Sequence, residues 1–246
     1  MVFAIALACM VACGGGSGGN ADSSGNAKVT KDNTTATKPV ASSTAADSVA
    51  GSIRTPVVLF FGTSLTAGLG LDPDQAYPML IEQKAQADGV PIRVVNAGLS
   101  GETTAGAVRR IDWVLRSPVD LVVIEAGAND ALRGLGPEDA RANLVQLIAA
   151  VRAKQPSANI ALVQMEAPPN FGVAYTKAFH AIYPEVAKKE NIPLLPFLLD
   201  GVAGIPRLNQ PDGVHPNLTG ERIVADNVWK ALKPIVGKLD RGSKGG

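Results

Sequence analysis

Five short apolar runs punctuate the chain, at 57–61, 92–95, 121–124, 160–163 and 193–195, each of the length expected for a strand buried on both faces. Between and after them lie longer amphipathic stretches, at about 76–87, 103–115, 137–154, 174–190 and 217–236. The stretch from 137 opens with Pro137-Glu138-Asp139, a sound helix start, because proline suits the first turn and acidic side chains favour the positive end of the helix dipole. Strands alternating with helices predict an α/β domain built on a five-stranded parallel sheet with helices on both faces. Right-handed crossovers would then bring every strand's C-terminus to one edge, the edge at which open α/β sheets bind ligands.

The alternation occupies 53–238, which is read as the folded domain, with 239–246 as a disordered tail. Ahead of it, residues 14–52 are Gly, Ser, Thr, Ala, Asn, Asp and Lys with few large apolar side chains. Such a segment buries too little surface to offset the ordering of its backbone, so a flexible tether is expected. Its Gly15-Gly16-Ser17-Gly18-Gly19 has the spacing of a nucleophile elbow but lacks the flanking strand and helix that an elbow needs. The apolar opening, residues 1–13, is shorter than the roughly 20 residues that span a bilayer, and it fits a secretory core segment. Met10-Val11-Ala12-Cys13 followed by three glycines resembles the cleavage box of bacterial lipoprotein signals. That resemblance implies export to the bacterial cell envelope and a membrane anchor through lipid on Cys13.

Composition narrows the chemistry. A 246-residue chain with 46% hydrophobic residues can build one sizeable core, and a formal charge of +1 argues against a nucleic-acid partner. The only cysteines are Cys9 and Cys13, and the only histidines are His180 and His215. The folded region therefore has no means of forming a disulfide or a cysteine- or histidine-rich metal site, and no metal or cofactor is expected.

The polar residues that follow the strand ends form a chemically coherent set. Ser64 comes after the first run, Gly101 after the second, Asn129 after the third, and Asp212 and His215 lie in the loop before the last helix. A serine needs a base within hydrogen-bond reach to attack a carbonyl. In Pro211-Asp212-Gly213-Val214-His215-Pro216, the aspartate can fold back to accept the imidazole Nδ1 hydrogen and leave Nε2 for Ser64. The Ser64 and Gly101 amides and the Asn129 side chain are candidate donors to the oxyanion that develops during attack. Phe171, in the loop after the fourth run, and Phe197, Leu198 and Leu199 after the fifth are candidate acyl contacts.

Singly, each feature has a plainer reading: Asp-x-x-His as a surface turn, Asn129-Asp130 as a helix cap, Ser100 as a loop-shaping residue. His180 lies mid-helix with no acidic residue suitably placed just before it, and reads as structural or partly exposed. A tethered module holding a phosphate or flavin on the loop after the first strand would account for Gly62, Gly68 and Gly70. It leaves the Asp212/His215 loop without a purpose.

Four blocks in order, Gly62-Thr63-Ser64-Leu65, Ser100-Gly101-Glu102, Gly127-Ala128-Asn129-Asp130 and Asp212-Gly213-Val214-His215-Pro216, resemble the SGNH (GDSL) hydrolases. The likeness extends over about 57–236 and is nearest to the bacterial arylesterase and acyl-thioesterase/lysophospholipase branch, including Ala178-Phe179-His180-Ala181-Ile182-Tyr183-Pro184. It implies a three-layer α/β/α flavodoxin-like fold, a small acyl-ester substrate, serine esterase chemistry and no metal. The sequence departs at Thr63, where the family name has aspartate. Since that position is neither nucleophile, oxyanion donor nor base, the substitution is expected to adjust loop packing and leave the reaction type alone.

Overall fold

The computed structural model describes residues 54–242. Its sheet is parallel throughout and comprises β1 (Val57–Gly62), β2 (Arg93–Gly98), β3 (Leu121–Ile124), β4 (Asn159–Gln164) and β5 (Leu194–Phe197), in the order β2-β1-β3-β4-β5. The chain moves outward from β1 to β2, then returns past β1 to β3 and continues in that direction. This reversal makes a switch point between β1 and β3, the crevice where open sheets place their ligands.

Burial explains which strands announce themselves in the sequence. The inner strands β1, β3 and β4 are apolar and buried almost throughout, while the edge strands β2 and β5 are half exposed. The expectation of burial on both faces therefore holds for the inner strands and fails at the edges. Pro196 sits in β5, where an edge strand can spare a ladder hydrogen bond. β2 also runs further than its apolar core suggests, because Asn96, Ala97 and Gly98 pair in register with Phe60, Phe61 and Gly62.

The long helices are α2 (Tyr77–Ala87), α3 (Thr104–Val114), α5 (Pro137–Lys154), α6 (Val173–Lys189) and α7 (Leu218–Gly242). α2 packs beside α7 on one face of the sheet, and α3, α5 and α6 pack side by side on the other, giving the three layers. The apolar faces meet the sheet through buried residues such as Ile81, Ile111, Leu144, Leu147, Phe179 and Val228. Each such side chain contributes about 1.5–3 kcal/mol by leaving water.

Two short helices, α1 (Ser64–Ala67) and α4 (Ala128–Leu132), are too brief to show a periodicity, and both lie at the catalytic edge. α7 continues through Gly242, past its expected end at 236 and into residues read from sequence as tail. The expected signal segment with Cys13, the expected tether at 14–52 and residues 243–246 lie outside the described residues. Among the described residues, no helix is long and apolar enough to cross a membrane.

Candidate active site

Ser64 is the first residue of α1, immediately after β1 ends at Gly62. A Cβ at Gly62 would lie 2.1 Å from Thr66 Oγ1 and 2.6 Å from Glu125 Oε2, so only glycine allows the chain to turn there. Beneath the turn, Glu125 is wholly buried just beyond β3. Its carboxylate accepts the Thr63 N–H at 2.7 Å, the Thr63 hydroxyl at 2.9 Å and the Thr66 hydroxyl at 2.9 Å. The Tyr77 hydroxyl lies 3.0 Å from the Thr66 oxygen and extends this network. Burial raises the Glu125 pKa, opposed by the donors from Thr63 and Thr66. Thr63 is thereby held from two sides, since its hydroxyl donates to Glu125 and also accepts the Leu65 N–H at 3.4 Å as the N-cap of α1.

The loop before α7 delivers the second half of the relay. His215 Nε2 stands 2.8 Å from Ser64 Oγ, and His215 Nδ1 stands 2.7 Å from Asp212 Oδ2. The other Asp212 oxygen accepts the N–H groups of Val214 at 2.9 Å and His215 at 3.0 Å, which folds the carboxylate back under its own loop. Those two amides, His215 first, and then the imidazole hold the Asp212 pKa down to about 2. An ionised Asp212 fixes the Nδ1–H tautomer and leaves a lone pair on Nε2 for the serine proton. Gln210 ties the loop down: its N–H donates to the His215 carbonyl at 2.7 Å and its side-chain amide donates to the Leu69 carbonyl at 2.7 Å, just past α1. Asn217 then caps α7 by accepting the Thr219 and Gly220 N–H groups.

Gly101 and Asn129 reach the same edge and are stapled together. The Asn129 amide donates to the Glu102 carbonyl at 3.0 Å, and Arg133 of the α4 end donates to the Gly101 carbonyl at 2.9 Å. Gly101 has a φ of +76°, open to glycine at little cost, and its N–H finds no acceptor among the described residues. The Asn129 NH₂ group has a second hydrogen beyond the one given to Glu102. Asp130 anchors the block from below, accepting the Thr104 N–H at 2.8 Å and hydroxyl at 2.6 Å at the start of α3. Glu102 is held by Arg110 in a two-pronged ion pair at 2.8 and 2.6 Å, and that guanidinium lies 4.3 Å over the Phe61 ring.

A groove of about 600 Å³ opens beside Ser64 and His215, bounded by Leu65 on one side and Gly213 and Val214 on the other. Phe171 and Phe197 line it, along with Leu132, Met165 and Leu199. Leu198 does not. It is wholly buried in the core, because successive residues leaving an edge strand point to opposite sides and Leu199 takes the groove side. His180 is exposed, in keeping with its sequence reading, and its Nδ1 lies 2.7 Å from Glu166 Oε1, an acidic partner supplied by the loop after β4. Glu166 and Glu125 both escaped the sequence reading. The cue for Glu125 was a carboxylate at the end of an apolar strand, where burial demands a partner.

The pattern of known proteins that share these features is consistent. Residues 60–223 match the model of the GDSL-like lipase/acylhydrolase family. The chain belongs to that family. It is 39% identical over 180 residues to the protein named esterase TesA of Pseudomonas aeruginosa, an alignment that covers 73% of this chain and 89% of the relative. It is 37% identical to thioesterase 1/protease 1/lysophospholipase L1 of Escherichia coli, over 73% of this chain and 84% of that one. The solved structure of AlinE4, described as an SGNH-hydrolase family esterase, superposes with a TM-score of 0.62 at 39% identity, covering 75% of this chain and 96% of that one. This SGNH hydrolase is a serine hydrolase of carboxylic esters, and the reading as a phosphate- or flavin-binding module is not favoured.

Proposed function

We propose that Ser64 is the nucleophile of an acyl-enzyme mechanism, His215 its general base and acid, and Asp212 the group that orients His215. The observation that carries this assignment is the unbroken relay from Asp212 through His215 to Ser64, with links of 2.7 and 2.8 Å. Ser64 Oγ attacks the ester carbonyl as its proton passes to His215 Nε2. The negative oxygen is received by the Ser64 and Gly101 amides and the Asn129 side chain. His215 then protonates the departing alcohol, and water, deprotonated by the same imidazole, releases the acid. Losing one such oxyanion donor costs about 10²–10³ in rate.

The groove supports a medium-length acyl chain lying between Phe171, Leu199 and Phe197, with the reacting carbonyl at the Leu65 and Val214 end. Relatives are named as esterase, as thioesterase/lysophospholipase and as arylesterase, so aryl esters, thioesters and lysophospholipids are the substrate classes to compare. We further place the enzyme in the bacterial cell envelope, anchored through Cys13, on the strength of the sequence from Met10 to Gly16.

Ser64→Ala is expected to abolish hydrolysis of p-nitrophenyl butanoate and labelling by a fluorophosphonate, with an unchanged far-UV circular dichroism spectrum. Retained turnover in the folded variant would overturn the nucleophile assignment.

A further inference from the structure

Among the described residues, the acyl groove is lined by apolar side chains and backbone with two polar exceptions, Asn170 and Glu166, of which Glu166 is titratable. Only one oxygen of this Glu166 carboxylate is committed to protein donors among the described residues. Its Oε1 takes both protein donors, His180 Nδ1 at 2.7 Å and Gln164 Nε2 at 3.2 Å. Its Oε2 takes none among the described residues, and the side chain retains about a third of its exposure. His180 is more exposed still, and no group among the described residues bonds its Nε2, so the pair lacks the hydroxyl that would make it a second catalytic relay.

A carboxylate with one unpaired oxygen on an apolar wall does little for a plain hydrocarbon chain, which gains nothing from it and must leave that oxygen hydrated. It discriminates strongly in one chemical direction. A cationic or N–H-bearing chain can satisfy Oε2, whereas an anionic chain meets like charge, and among the described residues no Lys or Arg lines the groove.

We propose that Glu166, presented by Gln164 and His180, is a specificity-determining residue that selects esters whose groove-bound chain carries an ammonium or other N–H donor and rejects those carrying a carboxylate. This rests on the esterase reading above and deepens it by naming the substrate class. His180 is a positioning residue here: it holds Oε1, leaving Oε2 as the oxygen with no donor among the described residues.

The test compares p-nitrophenyl esters of butanoyl, hexanoyl and octanoyl chains that end in methyl, ammonium or carboxylate, assayed with the full chain and with Glu166→Gln and His180→Ala. The readout is the ratio of kcat/KM for the ammonium ester to that for the methyl ester at each length. In the native enzyme this ratio should exceed the corresponding carboxylate ratio by about fivefold or more at one length at least, the value of a single partly exposed ion pair. Glu166→Gln should collapse that spread at the same length. His180→Ala should keep the sign of the preference, because the carboxylate remains. Equal ratios in the native enzyme, or a spread that survives Glu166→Gln, overturn the proposal. So does a preference that vanishes in His180→Ala alone, which would make the imidazole the recognising group. Failure of the native enzyme to cleave any methyl-terminated ester would instead count against the esterase reading itself, so the two failures are distinguishable.

Discussion

Asp212 serves two clients with two different oxygens, and this division sets what its amide analogue should do. Oδ1 receives the N–H groups of Val214 and His215, whereas Oδ2 faces His215 Nδ1. In Asp212→Asn the carbonyl oxygen can keep both backbone bonds and so preserve the loop, but the new NH₂ group would point a donor at Nδ1. The imidazole proton then moves to Nε2, which can no longer accept from Ser64. A fall in kcat of about 10³–10⁴ is expected, with KM and thermal midpoint little changed. A loss of tenfold or less would show that Asp212 does not set the tautomer. The relay's residue types and spacing were legible from sequence because one loop carries both Asp212 and His215. The role of Thr63 was not, since it depends on Glu125, a residue sixty-two positions away whose buried carboxylate accepts the threonine hydroxyl. Nothing local to Gly62-Thr63-Ser64 reports that partner.

At the scale of elements, the site is held by side chains that lash one helix start to another. Glu221, in the first turn of α7, is buried and accepts the Tyr77 N–H at 2.7 Å at the start of α2, while the Tyr77 hydroxyl reaches Thr66 of α1. The two loops that carry Ser64 and His215 are thereby connected through the interior. Burial pushes the Glu221 pKa up to about 8, with the Tyr77 amide opposing, from an ordinary value of 4.5. In the native state this carboxyl holds its proton where the unfolded chain has lost it. Its contribution to stability is present below about pH 4.5 and is lost as pH rises through about 8. Glu221→Gln, which stays neutral and can still accept from Tyr77, should become the more stable protein as pH rises from 5 to 9, by a difference on the order of a few kcal/mol. Urea midpoints at both ends of that range measure it, and a difference that does not change with pH would remove Glu221 from this role. Such lashings also explain which elements were legible. β1, β3 and β4 declare themselves through buried apolar runs and α5 through its acidic first turn. α1 and α4, at four and five residues, exist because Thr63 caps one and Asn129, Asp130 and Arg133 brace the other, which no periodicity can signal.

For the molecule as a whole, the parallel sheet separates where the chain enters from where chemistry takes place. Residue 54 leads into β1 at the N-terminal edge of the sheet, whereas Ser64, Gly101, Asn129 and His215 all follow strand C-termini at the opposite edge. β1 spans about 20 Å between these edges at the usual strand rise. Among the described residues, the relay joins Asp212, His215 and Ser64, and the groove is lined from Leu65 to Val214. The anchor proposed at Cys13 and the relay use different residues, so anchoring should be separable from turnover. Cys13→Ala, produced in a bacterial host that processes lipoproteins, is expected to move esterase activity from the membrane pellet to the soluble fraction while leaving kcat/KM for p-nitrophenyl butanoate unchanged. Metabolic labelling with a palmitate analogue should mark the native chain and not the variant. A native chain that is unlabelled and fractionates with the soluble proteins would discard the lipid anchor yet leave the catalytic assignment standing, because the two rest on separate observations.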